Sequence, residues 1–151
     1  MEFIRNAEAA DAEAISLLLE QLQHPSTPEH VRRQIRRIDA NDAEAVFVAV
    51  DNEAVVGVLA VQAAVQFHQE PPVARILDLC VLDTHRRMQF GRMLIDAAER
   101  FARKAGCCRM EVTARNFRLG AHQFYARNGL DQTHRYFCME LTPISTHPDR
   151  T

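Results

Sequence analysis

The stretch from Asp78 to Gly106, DLCVLDTHRRMQFGRMLIDAAERFARKAG, constrains the fold of this chain more than any other. It begins with an apolar run that predicts a buried strand, continues through a basic turn, and ends in an amphipathic pattern that predicts a helix. The first turn of a helix presents unpaired backbone N–H groups and a partial positive charge, which suit a phosphate or a diphosphate. The turn is therefore a candidate anion site.

Two blocks of the sequence resemble the GNAT superfamily of N-acetyltransferases. The first is the turn Arg86–Gly91, RRMQFG, which is similar to the family's motif A, although Gln89 stands where the motif carries its first glycine. The second consists of Asn116 and the run Ala121–Leu130, AHQFYARNGL, which is similar to a C-terminal segment of the family. Both blocks occur in the family's order and spacing.

Length and composition favour one soluble domain. A chain of 151 residues with 47% hydrophobic content can bury about two thirds of its unfolded surface in a single core. Its net charge of −2 is not that of a dedicated nucleic-acid binder, and no apolar run approaches the roughly 20 residues that span a bilayer. Because the N-terminus also lacks a signal-peptide pattern, we expect a cytoplasmic protein that binds neither nucleic acid nor membrane.

The four cysteines, Cys80, Cys107, Cys108 and Cys138, lack the spacing of a zinc site. We therefore expect reduced thiols and no metal. Cys80 lies in an apolar strand pattern, which favours a buried packing thiol over a reactive one.

The apolar pattern predicts an α/β chain, and the resemblance implies that its sheet is mixed. The predicted strands are Phe3–Asn6, Ala45–Val50, Ala54–Gln66, Val73–Leu82, Met110–Ala114 and Thr133–Leu141, and the predicted helices are Ala9–Gln23, Glu29–Ala40, Gly91–Lys104 and Leu119–Arg127. This is the order of the GNAT fold, so the resemblance implies a mostly antiparallel sheet of six to seven strands, flanked by about four helices and splayed at the acetyl-CoA site. We expect one domain over residues 1–143, followed by a polar tail, 144–151.

The resemblance implies that the cosubstrate is acetyl-CoA. Its pantetheine arm would pair with the backbone of the strand before the turn, and its diphosphate would meet the N–H groups of the turn. The residues implied are Leu79, Cys80, Val81, Arg86, Arg87, Met88, Gln89, Phe90, Gly91, Arg92 and Asn116. A β-carbon at Gly91 would block the close approach of the diphosphate. Gln89 indicates either that its position needs no positive φ here or that acetyl-CoA binding is weaker. The alternative for the arginines is a solvated basic turn. The alternative for Asn116 is a turn residue.

Acetyl transfer requires a neutral amine and a protonated leaving sulfur. An amine of pKa near 10 costs about 4 kcal/mol to deprotonate at pH 7. Tyr125 matches the family's acid by position and could protonate the sulfur. Asp78, unusual in an apolar strand, is either the general base or a structural acceptor, and deprotonation through ordered water stays open. His68 and Glu70 could line the acceptor cleft, whereas His122 is more typical of a structural hydrogen bond.

The resemblance implies an N-acetyltransferase that joins acetyl-CoA and a primary amine of a small molecule or peptide in a ternary complex. The alternative is a non-catalytic acetyl-CoA sensor or interaction module with the same fold. Four arginines form one face of the second helix, Arg32, Arg33, Arg36 and Arg37. This face is either solvated or selects an acceptor with a carboxylate or phosphate. A homodimer is left open.

Overall fold

The computed structural model describes residues 1–86, 88–113, 119–134 and 136–141. The chain divides into two compact units, Met1–Arg115 and Asn116–Thr151. In the described ranges the first unit carries a five-stranded sheet with three α-helices, and the second carries one α-helix.

The helices and strands follow the chain order predicted from the sequence up to the last helix. Their bounds are β1 Glu2–Asn6, α1 Ala12–Gln21, α2 Pro28–Asp39, β2 Glu44–Asp51, β3 Ala54–Ala64, β4 Val73–Val81, α3 Phe90–Lys104 and β5 Met110–Val112 in the first unit, with 3₁₀ turns at Ala9–Asp11 and Asp83–His85, and α4 Leu119–Arg127 in the second. The bounds of α4 are those predicted.

The sheet is mixed, with the order β1-β2-β3-β4-β5. The first three pairings are antiparallel, and β4 pairs with β5 in parallel. The predicted count of six to seven strands is wrong for the described part of the chain, which has five. Where Thr133–Leu141 is described, it forms no strand. Its apolar pattern gives strand propensity, but a strand also needs a partner for its backbone hydrogen bonds.

Local turn chemistry explains two of the connections. Thr27 caps α2 by accepting a hydrogen bond from the His30 N–H at 3.1 Å, and Pro28 occupies the first helical position. Between β2 and β3, Asn52 and Glu53 both adopt positive φ values, 48° and 71°. Two successive positive φ values match the right-handed twist of a hairpin, so this turn makes a tight connection.

The sheet is covered by helices on both faces. Val48, Val58 and Cys80 belong to a buried cluster on one face, together with Leu18 of α1. On the other face Gly57 lies so close to α3 that a β-carbon there would be 3.1 Å from the Leu94 Cδ1 atom. The absence of a side chain at Gly57 therefore lets α3 pack directly on β3.

An ion pair ties β1 to the start of the helical layer. Arg5 donates two hydrogen bonds to the Asp11 carboxylate, at 2.8 and 2.9 Å, and the Glu8 N–H donates a third at 2.7 Å. Burial acts to raise the pKa of Asp11, but these hydrogen bonds outweigh it and hold the pKa below its ordinary value. Asp11 is therefore a charged group whose pairing stabilises the fold.

Candidate active site

A β-bulge divides β4 into two halves. Ala60 of β3 lies opposite Asp78. The next residue of β3, Val61, lies opposite Ile76, so Leu77 is the extra residue of β4. Among the described residues, the pairing of β4 with β5 extends to Ile76 and no further. In this part of the chain the bulge therefore coincides with the end of that pairing.

Beyond the bulge, no strand in the described ranges pairs with this side of β4, which we call the open edge of β4. The Leu82 N–H donates to the Val56 carbonyl of β3 at 2.8 Å. Because backbone groups alternate in direction along a strand, Cys80 also directs its polar groups toward β3, whereas those of Leu79 and Val81 point away from it. The backbones of Leu79, Cys80 and Val81 were predicted to pair with pantetheine, but the groups of Cys80 face β3 and only those of Leu79 and Val81 face the open edge.

The side chain of Gln21 closes one end of this open edge. Its Nε2 donates to the Val81 carbonyl at 2.9 Å, and its Oε1 accepts from the Asp83 N–H at 3.0 Å. One amide group thus occupies both positions, as a peptide group of a neighbouring strand would. Gln21 was not predicted, because its only signal in the sequence is a polar residue at the end of an amphipathic helix.

Gln89 adopts the left-handed conformation at the start of α3, with φ 68° and ψ 7°. Its carbonyl accepts from the Met93 N–H at 3.0 Å, so Gln89 is the N-cap of the helix. One of the two readings of Gln89, that its position needs no positive φ here, is therefore wrong. The turn has the backbone conformation typical of glycine although residue 89 is a glutamine, so the left-handed conformation of Gln89 is strained.

The predicted turn residues differ in exposure. Phe90 is 1% exposed, so its side chain belongs to the core, while Met88 is exposed. The Arg86 guanidinium lies 2.7 Å from Asp83, and that of Arg92 lies 3.2 Å from Asp96. Gly91 lies in the first turn of α3, and Arg87 lies outside the described residues.

Asp78 is a half-buried carboxylate on the same face of β4 as Cys80. The Cys80 thiol is buried and donates to the Leu18 carbonyl at 3.3 Å, which confirms the predicted packing role. Burial raises the pKa of the Asp78 carboxyl, and the charge of a protonated His24 opposes that rise. A carboxyl group in this state is suited to accepting a proton.

His24 approaches from the end of α1. Gln23 adopts a positive φ of 64°, and the His24 N–H donates to the Leu19 carbonyl at 2.9 Å. This hydrogen-bond pattern is that of a Schellman motif, normally built on glycine. The helix was predicted over Ala9–Gln23, and the observed α1 ends two residues earlier, at Gln21, because Gln23 adopts the left-handed conformation without being a glycine.

In the second unit, Tyr125 lies near the end of α4. Its ring contacts that of Phe124 at 5.6 Å between centroids, and its carbonyl accepts from the Leu130 N–H at 3.0 Å. Gly129, with φ 85°, forms the turn that ends the helix. His122 lies on the same helix. Asn116 lies outside the described residues.

The other predicted acceptor residues lie in two exposed segments. His68 and Glu70 are exposed in the connection between β3 and β4. On α2, Arg32 forms ion pairs with Glu13 and Glu29. The four arginines therefore differ: Arg32 has a structural role, whereas its neighbours Arg33, Arg36 and Arg37 remain exposed.

The cysteines and acidic side chains of the described part form neither a disulfide nor a metal cluster. All four cysteines are free thiols. No group of three or more His, Cys, Asp or Glu side chains is arranged there to hold a metal ion. None of the helices in those ranges is both long and apolar enough to cross a membrane.

Known proteins resemble this chain in both sequence and fold. An aminoalkylphosphonate N-acetyltransferase from Salmonella typhimurium is 33% identical over 94 residues, which are 62% of this chain and 61% of that enzyme. The chain thus matches about three fifths of the length of this relative.

Two solved structures share the fold. The transcriptional regulator from Bacillus halodurans C-125 has a TM-score of 0.85 at 23% identity, over 93% of this chain and 100% of the other. The aminoglycoside N-acetyltransferase AAC(6')-Iy, solved with a CoA bisubstrate analogue, has a TM-score of 0.83 at 18% identity, over 95% and 99%. Identities this low support the fold alone.

The model of the acetyltransferase (GNAT) family matches residues 12–130. This range includes α1, the open edge of β4, the turn at Gln89 and α4. The predicted fold class and family are confirmed. Since the match covers most of the length of the chain, the chain belongs to the acetyltransferase (GNAT) family.

Proposed function

We propose that this chain is an N-acetyltransferase that transfers the acetyl group of acetyl-CoA directly to a primary amine while both substrates are bound. The observation that carries the proposal is the continuity of the open edge of β4 with the turn at Gln89 and the start of α3. The edge offers peptide groups to the pantetheine arm, and the turn offers N–H groups to the diphosphate, in the order in which these parts follow one another in CoA.

The pantetheine arm would pair with Leu79 and Val81, whose backbone groups point away from β3. Cys80 would contribute by holding the strand in place, because its backbone faces β3 and its thiol packs against α1. The segment paired with the arm would end at the Gln21 amide, because this amide already donates a hydrogen bond to the Val81 carbonyl. Two residues of edge suffice for the short amide-containing part of the arm.

The diphosphate would bind the backbone N–H groups of residues 88–92, with charge from arginine. Arg86 and Arg92 are each more than half exposed and form ion pairs with neighbouring acids. Surface pairs of this kind contribute about 0 to 1 kcal/mol, so a diphosphate can draw either guanidinium away. Arg87 and Asn116 remain proposed ligands on the strength of the family resemblance.

The chemical step would consist of nucleophilic attack and two proton transfers. The amine nitrogen attacks the thioester carbonyl carbon as its proton passes to the Asp78 carboxylate. The C–S bond then breaks, and the leaving sulfur takes a proton from the Tyr125 hydroxyl. The raised pKa of Asp78 supports its role, because a base whose pKa lies nearer neutrality accepts a proton from an amine at lower cost.

We propose a small amine with an anionic group as the acceptor. The support is the aminoalkylphosphonate N-acetyltransferase, whose name specifies such an amine. Arg33 and Arg36, both exposed on α2, are the candidate contacts for a phosphonate. Charge reversal at either position should raise the KM for an anionic acceptor and leave a neutral one unaffected.

Release of the CoA thiol tests the activity. Purified protein is mixed with acetyl-CoA and either 2-aminoethylphosphonate or propylamine, which carries an amine without the phosphonate. We expect amine-dependent thiol release with 2-aminoethylphosphonate and a lower kcat/KM with propylamine. Acetyl-CoA binding by calorimetry without turnover on any amine would favour the alternative, a sensor or interaction module.

We also propose that residues 1–143 form one domain of a cytoplasmic homodimer. The family match runs from the first compact unit into the second, which supports a single domain. The four free thiols fit a reducing compartment. The exposed apolar side chains of Phe137, Met139 and Leu141 support association with a second copy. Light scattering on the eluting protein measures the oligomeric state.

A further inference from the structure

The turn that precedes the proposed diphosphate loop is attached to the hairpin between β2 and β3. His85 Nε2 lies 3.3 Å from the Asp51 Oδ2 atom, and the two side chains are only 26% and 15% exposed. The other ring nitrogen, Nδ1, lies 2.8 Å from the Thr84 hydroxyl oxygen. Both nitrogens of the imidazole are therefore engaged, which fixes the orientation of the ring.

The imidazole of His85 also meets the first residue of α3. Its ring lies 5.9 Å from the Phe90 ring between centroids, and Phe90 is buried in the core. His85 and Phe90 are the residues that flank the loop of residues 86–89. The two residues on either side of this short connection are thus held close to each other.

Asp51 reaches His85 from a rigid part of the sheet. It is the last residue of β2 and lies opposite both Glu2 of β1 and Ala54 of β3. The tight turn formed by Asn52 and Glu53 follows directly. A carboxylate fixed in this way can hold the position of its partner better than one on a flexible loop.

We propose that Asp51 and His85 are positioning residues that hold the start of α3, with the N–H groups of Met88 and Gln89 before it, in the position that binds the diphosphate of CoA. This inference rests on the proposed acetyl-CoA site. The Asp51–His85 contact fixes the entry to the loop, and the buried Phe90 fixes its exit. Loss of the contact frees the entry, so that the N–H groups and Arg86 converge less often on one point. The open edge of β4, which receives the pantetheine arm, is unaffected.

A cosubstrate without the diphosphate separates positioning from general damage. The kinetics of Asp51→Ala and His85→Gln are measured with acetyl-CoA and with S-acetylpantetheine, which has the same thioester and arm. We expect the KM for acetyl-CoA to rise about tenfold, which corresponds to about 1.4 kcal/mol for the loss of the Asp51–His85 contact. The kcat with acetyl-CoA and the kcat/KM with S-acetylpantetheine should stay within about twofold of the unaltered protein.

Glu53→Gln is the matched control, because it removes an exposed carboxylate from the same hairpin. Its KM for acetyl-CoA should not change. Equal losses with both cosubstrates, a loss confined to kcat, or an unchanged KM in Asp51→Ala would each overturn the inference. If the unaltered protein uses no acetyl-CoA at all, the proposed function fails instead. Thermal unfolding of each variant identifies any that fails to fold, and Asp51→Asn, which keeps the shape of the side chain, then replaces Asp51→Ala.

Discussion

Asp78 and Cys80 lie on the same face of β4, but of their two side chains only the Cys80 thiol has a hydrogen-bond partner among the described residues. The thiol donates to the Leu18 carbonyl, whereas the Asp78 carboxylate is half-buried with His24 as its charged neighbour. An unpaired carboxylate in an apolar strand costs stability. Such a cost is typical of a functional group.

Asp78→Asn should lower kcat at least about a hundredfold, because a general base contributes that much or more. The KM for acetyl-CoA should not change, since Asp78 is not among the proposed contacts to the cofactor. Steady-state kinetics check this result. Asp39→Asn, which alters an exposed carboxylate at the end of α2, is the control and should keep full activity.

The same substitution should increase stability at neutral pH. The pKa of Asp78 is raised on folding, so the folded state binds the proton more tightly than the unfolded state. The free energy of unfolding of the unaltered protein therefore increases as the pH falls through the folded pKa of Asp78 toward the ordinary value of 3.8. At pH 7 this contribution is absent. Urea unfolding at several pH values measures it. An Asp78→Asn protein that is less stable at pH 7 would indicate a structural role.

Tyr125→Phe should lower turnover at least about tenfold without changing the affinity for acetyl-CoA, because only the proton donor is removed. The second tyrosine of the chain, Tyr136, is exposed and supplies the control, Tyr136→Phe. Turnover measured beside calorimetric binding distinguishes the two effects. Unchanged turnover in Tyr125→Phe would remove Tyr125 from the mechanism.

Gln89→Gly should stabilise the protein by about 0.5 to 1 kcal/mol, because glycine adopts a φ of 68° without the strain of a β-carbon. The reverse change, Gly106→Ala, should destabilise by a similar amount, since Gly106 has φ 78° and open space around it. Denaturant unfolding measures both. Loss of stability in Gln89→Gly would mean that the Gln89 side chain makes a stabilising contact.

Asp11→Asn should destabilise the fold by about 2 kcal/mol at pH 7, because it removes charge-assisted hydrogen bonds from Arg5. The pKa of Asp11 is lowered on folding. Its contribution is therefore complete above the ordinary value of 3.8 and is lost as pH falls through the folded pKa. Acid unfolding curves of the two proteins should converge below pH 3.8. A constant difference at all pH values would contradict the ion-pair explanation.

The sequence predicted those features that depend on neighbours along the chain. The bounds of α4 were predicted from its local pattern, and the cap at Thr27 and the tight turn at Asn52 and Glu53 depend on local chemistry of the same kind. The prediction of a strand over Thr133–Leu141 was wrong for the described residues of that range. An apolar pattern carries no information about whether a partner strand is present.

Contacts between distant segments could not be predicted. Gln21 donates a hydrogen bond to Val81, which lies 60 residues further along the chain. Asp51, at the end of β2, contacts His85 in the 3₁₀ turn after β4. Neither pair has a periodicity or a motif, and each depends on how the layers pack. The positive φ of Gln89 was equally hidden, because glutamine rarely adopts it and only the surrounding turn imposes it.

A crystal structure of the protein with bound CoA tests the proposed acetyl-CoA site. We predict that the amides of the pantetheine arm form hydrogen bonds with the backbone of Leu79 and Val81. The diphosphate should lie within hydrogen-bond distance of the N–H groups between Gln89 and Arg92. CoA bound away from the open edge of β4, or a diphosphate remote from the start of α3, would contradict the account.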